Sequence, residues 1–240
     1  MTLHLSERTR LAGPVDVARY GEYTTPAEVT FTGRITDDAP FTVRPSRYHV
    51  YGGRFCPDSH RVAIIRELAG IQHLVTMSYV DDRRDGRGWA FRERHGPDPV
   101  NGFTLLREAY EATEEGYTGH VAVPTLWDRF GVRVVSNDAT AIGIDLATRF
   151  RHLAIDPVDT YPAALRAKIE ELARCTSLAE LDARLADADY LVGGVLTDAD
   201  IRLWVTLVRH DDLHTYPNLW RYARALLKIP AFRDTTDFGF

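Results

Sequence analysis

The sequence predicts a small α/β domain followed by an all-helical domain. Short apolar runs typical of strands alternate with helical periodicity in the first part of the chain, whereas only helical patterns follow Pro157. A stretch with several X-Pro pairs and little periodicity precedes both. We therefore expect three units: an arm over residues 1–44, an α/β domain over 45–152 and a helical domain over 158–240.

The elements of the α/β unit are predicted from hydrophobic spacing and from turn residues. Alternating or continuous apolar runs indicate strands at residues 47–51, 74–80, 121–128 and 132–135. Apolar spacings of three and four indicate helices at residues 57–69, 103–115 and from Ser136 or Asn137 to 150. The resulting order, β-α-β-α-β-β-α, is that of a thioredoxin-like domain.

The helical unit is predicted to contain helices at residues 163–173, 178–185, 198–208 and 216–227. The third has a clear start signal. Thr197 and Asp200 stand at capping-box spacing, with Asp in place of the usual Glu or Gln, and Leu196 and Ile201 have the spacing of a hydrophobic staple. We expect this helix to lie in the core of the unit.

The bulk composition is that of an ordinary globular protein. The 240 residues are 45% hydrophobic and 26% charged, with a formal charge of −5 and two cysteines. This balance gives no electrostatic basis for binding nucleic acid or an anionic membrane, and it excludes a disulfide framework. Residues 1–10 lack the apolar core of a secretory signal, and no run reaches the roughly 20 apolar residues that span a bilayer. We expect a cytoplasmic protein, and we interpret the arginines of residues 83–94 as a solvated loop.

Cys56 has the setting of a reactive thiol. Pro57 fits the first position of a helix, so Cys56 falls at the N-cap, where the partial positive charge of the helix start favours a thiolate. Arg54 and Arg61 would add to this effect if they lie near. Ser59 stands where a redox Cys-x-x-Cys pair has its second sulfur, so the predicted chemistry is monothiol exchange or attack.

The alternative to a reactive thiol is that Cys56 is a small buried hydrophobic residue, as most free cysteines in soluble proteins are. The strand, glycine loop and Cys-Pro start of a helix around Cys56 favour chemistry there. Cys175 lies in a plain helical run and has no such setting.

Together these motifs resemble the glutathione transferase superfamily, and within it the glutathionyl-hydroquinone reductases of the Xi class. Residues 48–61 are similar to that family's strand and Cys-Pro-Trp-Ala-His-Arg motif, and residues 196–209 and 216–220 match its helical domain. The resemblance covers residues 45–235. It implies a thioredoxin-like N-terminal domain, a glutathione-transferase-like all-α C-terminal domain, and glutathione or another low-molecular-weight thiol as co-substrate, without a metal.

The resemblance also implies a site. Cys56 would be the nucleophile, and the thiol would bind at Trp89, His120, Val121, Ala122, Val123, Pro124, Asn137 and Asp138. In this fold the peptide bond before Pro124 is cis and lets a γ-glutamyl-cysteinyl backbone pair with the chain like an added strand. The alternative for that position is an ordinary X-Pro turn.

Several positions depart from the family pattern. Asp138-Ala139 replaces the Glu-Ser pair that holds the γ-glutamyl group, and Asp138 can equally be a routine helix cap. Asp58 replaces a tryptophan and places a negative charge beside the sulfur. Between Glu171 and Ser177 the chain lacks the long segment that carries a family tyrosine and lines the quinone pocket, so the helical domain is shortened.

His210 and His214 fall where a second family tyrosine is expected. Their spacing also allows two metal ligands on one helical face, with Asp211 and Asp212 nearby, but such a site needs a helix that continues through His214 and Tyr216-Pro217 indicates a helix boundary. We therefore expect no metal and instead consider the two histidines as acid and base near Cys56. An acceptor pocket would then be rebuilt from Tyr20, Tyr23, Phe55, His210 or His214.

Three functions remain open. The first is thiol-dependent reduction, deglutathionylation or transfer on quinone-type or other aromatic electrophiles. The second is a dedicated isomerase, lyase or biosynthetic enzyme on the same scaffold, and the third is a catalytically silent binding protein. The expected partner is a small-molecule electrophile, and a homodimer is allowed because members of the family dimerise.

Overall fold

A computed structural model describes residues 10–238, and its centre is a four-stranded mixed sheet. The strands are β1 Tyr48–Gly53, β2 Val75–Val80, β3 Thr125–Asp128 and β4 Arg133–Ser136, in the order β2-β1-β3-β4. β1 pairs with β2 in parallel and with β3 antiparallel, and β3 pairs with β4 antiparallel. The predicted thioredoxin-like order is confirmed.

Nine α-helices lie within the described residues. They are α1 Val17–Tyr20, α2 Pro57–Leu68, α3 Arg107–Thr113, α4 Ala139–Thr148, α5 Arg166–Leu172, α6 Leu178–Arg184, α7 Asp198–Leu207, α8 Pro217–Leu226 and α9 Pro230–Arg233. Together with the sheet they form the predicted combination of a thioredoxin-like N-terminal domain and an all-α C-terminal domain.

The two faces of the sheet bury two different sets of side chains. Since successive strand residues point to opposite faces, Val50 and Leu126 pack with α2 and α4, whereas Tyr51 and Trp127 pack with the Tyr110 side of α3. The first of these cores continues into the helical domain. The N-terminus of α2, which carries Cys56, is thus held between the sheet and that core.

The capping box of α7 is present as predicted. Asp200 accepts hydrogen bonds from the N–H of Thr197 at 2.7 Å and from its hydroxyl at 2.9 Å. The other oxygen of Asp200 accepts from the hydroxyl of Tyr222 in α8 at 2.7 Å and from the N–H of Leu191. This fully buried carboxylate therefore joins α7 to α8 in addition to capping α7.

Three predicted elements are shorter than expected. The strand predicted from residue 121 begins only at Thr125, because the N–H groups of Val121 and Ala122 are bonded to tyrosine hydroxyls. The helix predicted from residue 103 begins at Arg107, where Glu108 accepts hydrogen bonds from the preceding turn. The helix predicted at 163–173 begins with a 3₁₀ turn and becomes α-helical at Arg166.

Residues 10–44 run across the α/β domain as extended chain apart from α1. The N–H of Gly33 donates to the C=O of Val135 in β4, so the chain lines the edge of the sheet. Arg34 donates to both oxygens of Asp145 in α4. The interpretation that the first ten residues are not a secretory signal concerns residues that, except for Arg10, lie outside the described range.

The arginine-rich loop between β2 and α3 is only partly solvated: Arg83 and Arg94 are exposed, but the interpretation was wrong for Asp85 and Arg92. Asp85 is fully buried and accepts hydrogen bonds from Arg87 and from the N–H of Asp16. The hydrogen bond from Arg87 holds the pKa of Asp85 well below its usual range. Arg92 is also buried and donates to the C=O of Gly13 at 2.9 Å. The charges of this loop anchor the arm.

His49 on β1 is completely buried. Its two ring nitrogens lie 2.7 Å from the hydroxyl of Thr76 and 2.8 Å from that of Ser78, both on β2. Burial lowers the pKa of His49 to about 3, and the charges of Arg129 and Arg66 act in the same direction. The ring is therefore neutral in the folded protein over the whole physiological range.

Candidate active site

Cys56 lies at the N-cap of α2, as predicted. Its backbone is extended (φ −87°, ψ 121°), and Pro57 occupies the first helical position. Its N–H donates to the C=O of Gly53 at 3.0 Å, which fixes the turn between β1 and α2. The half-buried thiol donates to the C=O of Val123 at 3.3 Å and does not cap the helix.

The backbone N–H of Val123 is available to bind a ligand, as a site for an added peptide strand requires. The Val123–Pro124 peptide bond is cis, as expected from the resemblance. The N–H of Val121 donates to the hydroxyl of Tyr23, and that of Ala122 to the hydroxyl of Tyr110. The N–H of Val123 has no acceptor among residues 10–238, and its C=O faces the thiol.

An open cleft of about 390 Å³ lies beside this position. Six of the residues that were predicted to bind the thiol line it, namely His120, Ala122, Val123, Pro124, Asn137 and Asp138. Cys56 itself is not part of the lining, but its bonded partner Val123 and its neighbour Asp58 are. The remaining lining residues are Ala27, Glu28 and Val29 from the arm, and Ala139 and Thr140 from α4.

The side chains of Asp138 and Asn137 both make hydrogen bonds that stabilise the fold around the cleft. One carboxylate oxygen of Asp138 caps α4 by accepting from the N–H groups of Thr140 and Ala141 at 2.9 and 3.1 Å. Asn137 is buried, and its side-chain oxygen accepts from the N–H groups of Thr30 and Phe31 in the arm. The amide of Asn137 therefore fixes the arm, which weakens its assignment as a thiol contact.

Comparisons with known proteins agree with this geometry. The family described as "Glutathione S-transferase, C-terminal domain" matches residues 176–225. Glutathionyl-hydroquinone reductase PcpF of Sphingobium chlorophenolicum is 33% identical over 227 residues, which cover 77% of this chain and 72% of that protein. The crystal structure of glutathione-S-transferase Xi from Phanerochaete chrysosporium superposes with a TM-score of 0.80 at 30% identity, covering 90% of this chain and 89% of that one. The chain belongs to the Xi class of glutathione transferases.

A further similar structure was solved with glutathione bound. The glutathione-bound structure of YqjG, a glutathione transferase homolog from Escherichia coli K-12, has a TM-score of 0.80 at 30% identity and covers 87% of this chain and 85% of that one. Among residues 10–238 of this Xi-class chain, no helix has the length and apolar character needed to cross a membrane.

Trp89, which resembles the Xi-class glutathione-contacting tryptophan, lies outside the cleft lining. Its ring stacks on that of Phe55 with centroids 4.5 Å apart. The guanidinium of Arg84 lies 4.4 Å from the centre of the Trp89 ring and 4.3 Å from that of Tyr23. Tyr23 also contacts His120 edge-on, so this aromatic group and Arg84 border the cleft at the His120 end.

One cation near the Cys56 sulfur of this Xi-class chain is a residue that the sequence analysis missed. Burial lowers the pKa of Arg209, and attraction to Cys56 partly offsets this, which places the guanidinium within electrostatic range of the sulfur. Arg61, which was expected to assist, is instead bonded to Asp198 of α7 at 2.7 and 2.8 Å. Arg209 follows α7 with no sequence signal that would link it to Cys56.

His60, one turn after Cys56, is held as a neutral ring. Arg209 can only donate, so the 3.3 Å contact makes Nδ1 of His60 the acceptor and leaves the proton on Nε2. That Nε2 lies 3.1 Å from the hydroxyl of Thr236, which donates in turn to the C=O of Phe232. Burial, reinforced by Arg209 and Arg54, lowers the pKa of His60 to about 4. His60 thus joins α2 to the C-terminal segment.

The two buried histidines predict acid sensitivity. In the unfolded chain each histidine takes up a proton below its ordinary pKa of about 6.5, whereas the folded rings stay neutral down to about 3 for His49 and about 4 for His60. The free energy of unfolding should therefore be constant above about pH 7.5 and fall by about 2 kcal/mol per histidine at pH 5. Urea denaturation at pH 8 and pH 5 measures this fall. His60→Asn should lose roughly half of the difference, and an equal free energy at both pH values would contradict the expectation.

His210 and His214 do not lie in the cleft. They line a second cavity of about 370 Å³ between α7, α8 and the C-terminal segment, together with Trp204, Trp220 and Phe238. The hypothesis that they act as acid and base on the thiol side therefore receives no geometric support. Within the described residues no group of three or more His, Cys, Asp or Glu side chains is arranged to hold a metal ion.

Of the other residues suggested for an acceptor pocket, Tyr23 and Phe55 lie in the aromatic group around Trp89 and Arg84, whereas Tyr20 does not. Tyr20 is partly exposed and stacks under Arg87, and Phe55 is covered by Trp89. Tyr23 is engaged with Val121 and Arg84. These contacts do not bring the suggested residues together as one pocket.

Proposed function

We propose that this protein is a thiol-dependent reductase that uses Cys56 to remove a low-molecular-weight thiol from an aromatic adduct. The observation that carries the proposal is the position of the Cys56 thiol 3.3 Å from the C=O of Val123, a cleft-lining residue whose N–H has no acceptor among the described residues. Membership in the Xi class supports it, because a relative is a glutathionyl-hydroquinone reductase and a homologous structure is glutathione-bound.

The backbone of Val123 would align the thiol portion of the substrate. The cysteinyl residue of glutathione can pair with the open N–H of Val123 like an added strand, which brings its sulfur to Cys56. Cys56 stands at the start of α2, and Arg209 lies within electrostatic range of its sulfur. The docked substrate would hold its sulfur close to the sulfur of Cys56, so the two reacting atoms would not have to meet by diffusion alone.

The reaction balances with one further thiol molecule. The Cys56 thiolate attacks the sulfur of the adduct, the carbon–sulfur bond breaks with its electron pair going to the aromatic carbon, and that carbon takes a proton. A mixed disulfide remains on Cys56. A second thiol attacks this disulfide, releasing a symmetrical thiol disulfide and restoring the Cys56 thiolate. The aromatic product is reduced and two thiol molecules are oxidised.

Intact-mass measurement tests the first step. After incubation with glutathione disulfide or with a glutathionyl-hydroquinone, the wild-type protein should gain one glutathione, and dithiothreitol should remove it. Cys56→Ser should gain none. Wild-type protein that stays unmodified under both conditions would contradict the proposal and favour a scaffold recruited to other chemistry or a binding protein.

A further inference from the structure

The second cavity, in the helical domain, is separate from the thiol cleft. It has a volume of about 370 Å³ and lies between α7, α8 and Phe238. Every described residue that lines it falls within 204–238, and none of them lines the cleft beside Val123. A ligand in this cavity would therefore occupy a different site from the one proposed for the thiol.

The walls of the cavity are mainly apolar. Trp204 is buried, and its indole N–H already donates to the hydroxyl of Thr236 at 3.2 Å. Trp220 and Phe238 are 46% and 64% exposed, so large aromatic surfaces of the lining face water. Aliphatic side chains of α7 and α8 complete the apolar lining. A concave site with exposed aromatic walls is typical of a pocket for a small ligand.

One polar atom of the lining is buried without a partner. Nδ1 of His210 has no hydrogen-bond partner among residues 10–238, and the ring meets that of Tyr216 edge-on with centroids 6.2 Å apart. Leaving a buried nitrogen unpaired costs free energy, so proteins ordinarily pair such an atom with a protein group, a water or a ligand. The charged or titratable neighbours in the lining, Asp211, His214 and Arg224, are exposed to water. His210 is therefore the lining residue that indicates which ligand fits.

A hydroxyl group can pair with this nitrogen in either tautomer of the ring. In a neutral imidazole Nδ1 is an acceptor or a donor, and a hydroxyl can take the complementary role in both cases. A hydrocarbon would leave the nitrogen unpaired. The aromatic walls favour a planar ring, because aromatic rings attract one another when stacked or edge-to-face. A cavity of roughly 150 Å³ holds one benzene ring, so the volume here suits a ligand of two fused rings.

We propose that this cavity binds a planar aromatic compound that carries a hydroxyl group, with the hydroxyl hydrogen-bonded to Nδ1 of His210. The rings of the ligand lie against Trp204, Trp220 and Phe238. Among the described residues no cysteine lines the cavity, so the ligand is bound without a covalent step. The site gives the helical domain a binding function of its own, and it does not depend on the thiol chemistry proposed for Cys56.

Two matched naphthalenes test the proposal. 2-Naphthol carries the hydroxyl, and 2-methylnaphthalene has a methyl group of similar size in its place. Equilibrium dialysis with the protein in excess gives the Kd of each compound. His210→Leu should weaken the binding of 2-naphthol by about fivefold or more relative to that of 2-methylnaphthalene, because the hydrogen bond to Nδ1 is lost. His210→Asn, which keeps a polar atom near the position of Nδ1, should preserve most of the wild-type ratio.

The aromatic wall is tested separately. Trp220→Ala should weaken both compounds by about fivefold or more, because it removes a ring against which the ligand packs. Phe130→Ala is the matched control, since Phe130 is 60% exposed on the turn between β3 and β4 and does not line the cavity. It should leave both Kd values within about twofold of the wild type. Cys56→Ser should also bind both compounds as the wild type does.

Three results would overturn the proposal. No detectable binding of 2-naphthol by the wild type would mean that the cavity holds only water. A Kd for 2-naphthol that neither His210→Leu nor Trp220→Ala changes, or one that Cys56→Ser weakens, would place the ligand elsewhere. Equal weakening of both compounds by His210→Leu would show that Nδ1 does not recognise the hydroxyl. Circular dichroism confirms that each variant is folded, which we expect for His210→Leu because the nitrogen it removes has no partner among the described residues.

Discussion

Cys56→Ser should reduce thiol-dependent turnover by about a thousandfold or more, because the sulfur would be the atom that forms the covalent intermediate. A serine hydroxyl remains protonated at neutral pH and is a far weaker nucleophile toward sulfur. The measurement is kcat/KM for a glutathionyl-hydroquinone with excess glutathione, by product chromatography. Activity above one tenth of the wild type would contradict the proposal.

The same substitution should leave the fold intact, which makes the result interpretable. Serine is a favoured N-cap residue, and Pro57 stays in place at the first turn of α2. Its hydroxyl can also donate to the C=O of Val123 as the thiol does. The melting temperature of Cys56→Ser should therefore stay close to that of the wild type.

Cys175→Ser is the matched control. This second cysteine lies between α5 and α6, and its sulfur is 3.5 Å from a carboxylate oxygen of Glu180. Unlike Cys56, it does not stand at the N-cap of a helix, and its bonded neighbour is a carboxylate. Cys175→Ser should retain wild-type turnover and still be modified by glutathione disulfide at Cys56.

The parts of the site that the sequence predicted correctly depend on local signals. A proline placed directly after a cysteine determines the N-cap position, and the capping box at Thr197 and Asp200 lies within four residues. The resemblance to a family supplied the cis bond before Pro124. These features need no knowledge of how distant segments pack.

The features that were missed are contacts between distant segments. The arm brings Glu28 into the cleft and Tyr23 onto the N–H of Val121, 98 positions away, and no periodicity signals either contact. Arg209 reaches the region of His60 across 149 positions. The spacing of His210 and His214 is a helical pattern, but the chain leaves α7 at Leu207 and they line another cavity.

The arginine-rich loop shows why charge patterns mislead. A mixed run of Arg and Asp is typical of a solvated segment, because each charge is costly to bury alone. Here Asp85 and Arg92 are buried because the arm supplies backbone partners for both. The partners lie about 70 to 80 positions away, so the composition of the loop alone could not indicate them.

Arg61→Ala should lower the free energy of unfolding by about 3 to 5 kcal/mol, the second large effect that we expect. The guanidinium of Arg61 in α2 donates to both oxygens of Asp198 at 2.8 and 2.7 Å, and their side chains are only 6% and 2% exposed. Arg202 of α7 donates to the same carboxylate. Removing Arg61 leaves part of a buried negative charge uncompensated where α2 meets the helical domain.

The direct contact between Arg61 and Asp198 can be tested by a double-mutant cycle. Asp198→Asn should be similarly destabilising, since it leaves the buried Arg61 without a charged partner. Arg61→Ala combined with Asp198→Asn should cost less than the sum of the two single substitutions, because neither the Arg61 nor the Asp198 charge is then left without its partner. The measurement is urea denaturation followed by circular dichroism, with m-values compared to confirm that the same transition is observed.

An exposed ion pair provides the control. Arg94 and Asp82 are 2.9 Å apart, but the arginine side chain is 54% exposed, so water screens the pair. Arg94→Ala should cost less than about 1 kcal/mol. A loss of less than about 1 kcal/mol in the free energy of unfolding for Arg61→Ala would contradict the prediction. It would mean that water reaches Asp198 once Arg61 is removed, and that the junction between α2 and α7 depends on apolar packing.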